Sequence, residues 1–509
     1  MVFSEHVFLF VFLPACLVTF YTLRGLGLFR ASMLAVVLFS FAFYGYWSLP
    51  YLGLLVVSIA VNYTAGLFLY HRGQGLAGRV LLWLGIAFNL GLIVWFKYAG
   101  FLVVGVAGIR SFADLFEGIL LPIGISFFTF QQVAYLVDAR ARRTYEPSLL
   151  NYAMFIAFFP QLIAGPVVNH RYVEQQYIDL GRGRIDTALF RFGAILFTIG
   201  LAKKVLVADV IGRDVDPMFD ATLAGGQIDT LTAWLMVSAY RLQLYFDFSG
   251  YSDMAIGLAA MFGLRLPINF NSPYKARSII ELWGRWHMSL SSFVRDYIYF
   301  PLGGSREGRL KQLRNIFIGM FLIGIWHGAA WTFVIYALMM ASAVCLNHAT
   351  RFLWPAFAAW NTPLALVFKQ TLCLGFYFAT GAFFRAETMD SALAVWWALF
   401  GLGGITPGPV LAFAAPDPWF LAWCAGAMAI ALWLPNSLQI VRYAPRLDRA
   451  WPVAPDTAFD PRERQRYDFV APIRARIETW VLTPLLGGVV VALCIAAGWR
   501  PAIFIYFNF

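Results

Sequence analysis

Hydrophobic residues run in long blocks along this chain, and polar residues gather in the short stretches between them. Segments at 31 to 47, 50 to 70 and 79 to 99 each approach the ~20 residues that cross a hydrocarbon core about 30 Å thick as a helix. A first span is expected in HVFLFVFLPACLVTFYTL, kinked by Pro14 and retained, since neither a basic leader nor a cleavage site accompanies it. Further apolar segments lie at 119 to 137, 188 to 209, from Leu231 onward, and at 314 to 346, 364 to 384, 390 to 403, 419 to 441 and 479 to 499. These runs are too long for the strands of an outer-membrane barrel. The fold class expected is all-α: a polytopic membrane protein with broken or re-entrant segments and interfacial helices.

Two places depart from plain spans. Pro122 and Gly124 open one helix start, and Pro160, Gly165 and Pro166 interrupt YAMFIAFFPQLIAGPVVNH; freed backbone groups are tolerated at membrane depth only where protein or a cavity replaces lipid. Gln161 is a candidate lining residue there, whereas His170 reads as a surface histidine after a routine bend. Between Asn271 and Pro301 aromatic and charged residues are mixed too densely for a lipid-facing span, which predicts short amphipathic helices at the interface. The chain reads as one domain over 1–509: peripheral spans in 1–118, the catalytic core in 119–350, and C-terminal spans with a basic loop at 442–477 in 351–509.

Composition sharpens the class. Hydrophobic residues make up 61% of 509 positions and charged residues 13%, against about 25% charged in a soluble domain. The net charge of +11 belongs to short loops and is no nucleic-acid footprint. Arg24 with Arg30, then Arg140, Arg142 and Arg143, and above all the arginines of 442–477, mark cytoplasmic loops. Cys16, Cys345, Cys373, Cys424 and Cys494 show no paired spacing for zinc, disulfide or redox work. No internal repeat supports a transporter built of two related halves, although broken helices and intramembrane polar residues keep a donor transporter open as the other class.

The candidate chemistry concentrates between Glu281 and Trp331, where ELWGRWHMSLSSFVRDYIYFPLGG leads through a basic patch into NIFIGMFLIGIWHGAAW. Counted from Arg314 at the membrane surface, His327 lies about 20 Å along a helix, near mid-membrane, where an ionisable ring marks a functional site unless it merely locks helices together through both nitrogens. His327 is the candidate general base and His287 the candidate assistant or orienting group, since a ring that titrates near neutrality takes a proton from a hydroxyl in acyl transfer. Trp286 and Trp326, which precede them, are candidate substrate contacts. So are Tyr245, Asp247 and Asp253 in YRLQLYFDFSGYSDMAIGLA, with structural hydrogen bonding as the alternative for both aspartates. Arg277, Arg285 and Arg295 either bind donor phosphates or snorkel and pair with acids. Metal chemistry lacks a ligand series, the six-residue spacing of the two aspartates defines no glycosidase pair, and GGSREG lacks the ending of a phosphate loop.

These stretches resemble the membrane-bound O-acyltransferase family, and within it the branch that includes the membrane component of bacterial alginate O-acetylation. The resemblance rests on ISFFTFQQVAYLVD at 125 to 138, FFPQLIAGPV at 158 to 167, the run at 240 to 259, FNSPYKARSIIELWGRWHMSLSSFVRDYIYFPLGG at 270 to 304 and IGIWHGAAW at 323 to 331. It implies that His327, which ends IWH, is the catalytic histidine and that His287 belongs to the site. It further implies acetyl-CoA or a related carrier as cytoplasmic donor, an extracytoplasmic polysaccharide as eventual acceptor, and a periplasmic acetyltransferase with a serine nucleophile as partner, in a bacterial inner membrane.

Overall fold

Long apolar stretches with good helix formers leave the backbone no hydrogen-bond partner in lipid except itself, and helices result. The computed structural model describes residues 1–402 and 418–441 apart from 117, 186, 187, 226 and 227, together with 488, 492 and 493. Among the described residues every regular element is helical. Val7–Gly25, Leu49–Arg72, Leu76–Tyr98, Trp331–Leu353 and Pro363–Arg385 are long and apolar enough to cross a membrane, and Phe29–Gly45 and Pro418–Trp433 are shorter apolar helices. The basic loop at 442–477, the last span at 479–499 and most of the connector at 401–409 lie outside the described residues.

The chain divides into two compact units. One contains Met1–Ala202, Gly250–Ile268 and Ser437–Phe507; the other contains Lys203–Ser249, Asn269–Asn436 and Asn508–Phe509.

In the first unit, Leu49–Arg72, Leu76–Ile93 and Ile125–Arg140 are tied by side-chain amides. Asn62 Nδ2 donates to Asn89 Oδ1 at 3.2 Å and to Gln132 Oε1 at 3.0 Å, Asn89 Nδ2 returns a bond to Asn62 Oδ1 at 2.6 Å, and Ser58 Oγ donates to Gln132 Oε1 at 2.7 Å. All four residues are buried, and such bonds contribute about 0.6–2 kcal/mol each between membrane helices. The break expected around Pro160 is present: Leu149–Ala157 ends and a short turn, Phe159–Leu162, follows.

The same unit holds Arg24 and corrects the expectation for His170. Arg24 lies in the helix Leu13–Gly25 and is buried, with Nη1 donating to Leu180 O at 3.0 Å and its guanidinium against Phe20 and Phe29. His170 is fully buried and is no surface histidine. Its Nε2 faces Glu146 Oε2 at 3.3 Å and its Nδ1 faces Thr144 Oγ1 at 2.6 Å, while Glu146 Oε1 accepts from Ser148 N at 2.9 Å and Asn151 Nδ2 at 3.2 Å. A carboxylate that already accepts on one oxygen is served by a proton on Nε2, so the ring bridges Thr144 and Glu146. His170→Ala removes the partner of Glu146 Oε2, while Thr144 Oγ1 keeps Glu174 Oε2 at 3.1 Å, and is expected to cost about 1–3 kcal/mol, read as an earlier thermal unfolding of the detergent-solubilised protein; an unchanged transition would show that the bridge contributes nothing.

In the second unit, Arg309–His327 and Trp331–Leu353 replace the single apolar run expected at 314 to 346. The break is steric. A Cβ on Gly328 would lie 2.0 Å from the Phe333 ring and one on Gly324 would lie 2.4 Å from Ala337 Cβ, so the helices approach at residues without side chains and the chain reverses at Gly328. Thr230–Met261, of which the residues up to Ser249 belong to this unit, is one continuous helix. Its 32 residues extend about 48 Å.

Candidate active site

His327 is the last residue of its helix because Gly328 turns the chain away. The other end of that helix is pinned: buried Asn315 donates through Nδ2 to Leu302 O and Gly304 O, both at 3.0 Å, and accepts from Arg314. The His327 ring is buried among Trp326, Phe384 and Tyr336, with centroids 5.0, 4.9 and 6.3 Å away.

His287 arrives from a different local structure. Its backbone takes the left-handed conformation (φ 44°, ψ 50°) between the short helices Ile279–Trp283 and Met288–Val294, and such strain in a residue with a Cβ persists only where surrounding contacts fix it. Those contacts come from Asn269. Its carbonyl accepts from Met288 N at 3.0 Å, and its Oδ1 accepts from Ser289 Oγ at 2.9 Å and Ser289 N at 3.4 Å while lying 3.0 Å from His287 Nδ1. An oxygen that only accepts places the ring proton on Nδ1, which makes Nε2 the basic nitrogen. Burial pushes this imidazole down to about 3, so the ring is neutral.

Trp326 joins the two histidines, its ring 6.0 Å from His287 and 5.0 Å from His327. Around them the aromatic lining continues: Phe248 stands edge-on to His287 at 4.8 Å, and Trp286 contacts Phe270, Tyr377 and Tyr245 at 5.0, 5.8 and 6.2 Å. Thus Tyr245, Trp286 and Trp326 share a unit with the histidines. Gln161 and Asp253 belong to the other unit, where Gln161 Nε2 donates to Phe155 O at 2.5 Å and Asp253 accepts from Ser437 Oγ at 2.5 Å.

Asp247 has a buried counter-ion. Lys204 Nζ lies 2.8 Å from Asp247 Oδ1 and 2.7 Å from Asp209 Oδ1, a cation bridging two acids. Among the three arginines, Arg285 pairs with Glu281 at 2.9 Å and Arg295 with Asp296 at 2.8 Å, while Arg277 is exposed and its backbone N donates to Glu281 Oε2. The Arg295–Asp296 pair is at an exposed position, where a salt bridge contributes little to stability, while Arg285 is half-buried.

Sequence reading missed Asn269, Lys204 and Arg241. Arg241 is buried in Thr230–Met261, its Nη2 donating to Thr380 Oγ1 at 2.9 Å and its guanidinium 4.3 Å from the Tyr377 ring centroid. The signal was available: a lysine and an arginine stood inside segments otherwise apolar enough to span.

A neutral ring beside a second histidine, in an aromatic and dehydrated setting, is suited to proton transfer in a group transfer. The comparisons agree with that chemistry. Residues 33–383 match the model of the membrane-bound O-acyltransferase family. The chain is similar to a peptidoglycan O-acetyltransferase of Helicobacter pylori, 36% identical over 442 residues, which cover 80% of this chain and 81% of the relative. It is also similar to the "probable alginate O-acetylase AlgI" of Azotobacter vinelandii, 38% identical over 416 residues and 80% and 79% of the two chains. A teichoic acid D-alanyltransferase of Bacillus subtilis is 30% identical over 283 residues, 51% of this chain and 68% of that one. This multi-pass protein of the bacterial inner membrane belongs to the membrane-bound O-acyltransferase family and is an O-acyltransferase.

Proposed function

We propose that the protein takes an acetyl group from acetyl-CoA on the cytoplasmic side and passes it outward for O-acetylation of an extracytoplasmic polysaccharide, alginate. A periplasmic acetyltransferase with a serine nucleophile serves as the immediate or relay acceptor. The observation that carries the reading is the Trp326 ring in contact with both His287 and His327. In this reaction His327 takes the proton of the acceptor hydroxyl as its oxygen bonds to the acyl carbon. The C–S bond then breaks, and the thiolate leaves with the proton that His327 held. His287, fixed through Asn269, orients the acceptor, and Tyr245, Trp286 and Trp326 line its path. Arg277, Arg285 and Arg295 serve the donor phosphates. The catalytic residues come from the core at 119–350, with peripheral spans in 1–118 and C-terminal spans in 351–509.

The similarity to the peptidoglycan O-acetyltransferase supports a second polymer reading, in which the acceptor is peptidoglycan. Proteoliposomes supplied with acetyl-CoA and the periplasmic partner test the proposal. Free CoA is expected to appear, and His287→Ala is expected to lower its rate about 100-fold with donor binding partly kept. Movement of intact donor without CoA release would make the protein a transporter, and full turnover in His287→Ala would reduce that residue to packing.

A further inference from the structure

Arg241 is 1% exposed. A guanidinium is permanently charged and carries five N–H donors, and a buried charge is ordinarily neutralised by an opposite one. Among the described residues, no carboxylate forms an ion pair with it. Asp216, beside the neighbouring Tyr240, is taken by Arg385 at 3.3 Å. The partners of Arg241 are neutral: Thr380 Oγ1, whose own proton goes to Tyr377 O at 2.7 Å, and the aromatic rings around the guanidinium. The rings of Tyr377, Phe384 and Tyr336 surround the guanidinium at 4.3, 5.2 and 5.6 Å, and a Cβ on Gly381 would lie 3.2 Å from Nε. The cation is therefore held firmly and neutralised by none of these groups. Two of its aromatic neighbours, Phe384 and Tyr336, are also neighbours of the His327 ring.

We infer that Arg241 is a positioning residue for acyl transfer at His327, its charge acting through the Tyr336 hydroxyl on the negative charge that forms at the acyl carbonyl oxygen. The inference rests on His327 being the base. As the acceptor oxygen bonds to the acyl carbon and its proton passes to His327, the carbonyl π pair moves onto oxygen. When the carbonyl reforms, that pair returns, the C–S bond breaks and the thiolate departs with the proton. With the guanidinium 5.6 Å from the Tyr336 ring centroid, the cation draws charge from the phenol at low dielectric and makes its O–H a stronger donor to the oxyanion. Removing one such donor lowers turnover about 10²–10³-fold in other acyl-transfer sites.

The competing account makes Arg241 a packing residue solvated by aromatic faces. Replacing a buried ion by an apolar side chain of similar volume is commonly neutral or stabilising, so Arg241→Met separates the two. Full-length protein in proteoliposomes is given acetyl-CoA with water as acceptor, and thiol release is followed alongside thermal unfolding. Arg241→Met is expected to unfold no earlier than the parent and to lose about 100-fold in kcat, with the KM for acetyl-CoA changed by less than about threefold. Arg241→Lys, which keeps the charge, is expected to recover at least about a tenth of the parent rate. Tyr336→Phe is expected to lose about as much as Arg241→Met, and the double variant no more than the worse single one. A kcat within about threefold of the parent in Arg241→Met, a loss confined to KM, or losses that multiply in the double variant would overturn the inference. Should Arg241→Met fail to fold, normal turnover in Tyr336→Phe overturns it alone. An active His327→Ala instead removes the base assignment beneath it, so the two failures are told apart.

Discussion

Replacing His327 with alanine is expected to lower acyl transfer about 10³-fold or more and to leave membrane insertion and folding intact. The size follows from the role: a positioned general base contributes about 10²–10⁴-fold. Insertion is preserved because the helix that carries the ring is fixed elsewhere, by Asn315 at one end and by the contact of Gly324 with Ala337 near the other. The measurement is CoA release in proteoliposomes, normalised to protein that elutes as a single species in detergent. A folded variant with near-normal turnover would defeat the assignment of His327 as base.

The second large effect is on stability. Lys204→Met leaves Asp209 and Asp247 buried beside each other without the cation that lies 2.7 and 2.8 Å from them. Breaking a buried ion pair from one side costs about 3–5 kcal/mol, and two stranded carboxylates place this case at the upper end. Asp247→Asn is expected to cost less, because Lys204 keeps Asp209. Thermal unfolding of both variants in detergent checks the order. Equal transitions for Lys204→Met and the parent would show that the triad is not what holds Lys203–Ala208 against Thr230–Met261, and would return Asp247 to the substrate path.

Spans were legible in the sequence because hydropathy over about twenty residues is a local property. Leu49–Arg72 and Leu76–Tyr98 fall within a few residues of where the pattern put them. The reversal after His327 was not legible: Gly328, Ala329 and Ala330 are as apolar as the spans they join, and only the Phe333 ring opposite Gly328 makes the turn necessary. Pairings were hidden for a different reason. Arg241 meets Thr380 139 positions along the chain, and Lys204 meets Asp247 from a separate helix, so neither partner could be found from spacing. His170 looked like a surface residue because it follows a proline-broken turn, while its partners Thr144 and Glu146 precede that turn by more than ten residues. The two candidate histidines were singled out by their sequence setting, and their connection through Trp326 required the fold.

The amide cluster of Asn62, Asn89 and Gln132 bears on how the protein is made. Each of these side chains, alone in a helix surrounded by lipid, raises the free energy of that helix in the bilayer, and the debt is removed only when its partners arrive. Asn62 and Asn89 bond each other directly, so the hairpin they form is self-sufficient early, while Gln132 comes later in synthesis and accepts from the Ser58 and Asn62 donors already in place. Leu49–Arg72 and Leu76–Ile93 are therefore expected to enter the bilayer as a pair before Ile125–Arg140 docks on them, so that this part of the protein assembles in the order of translation.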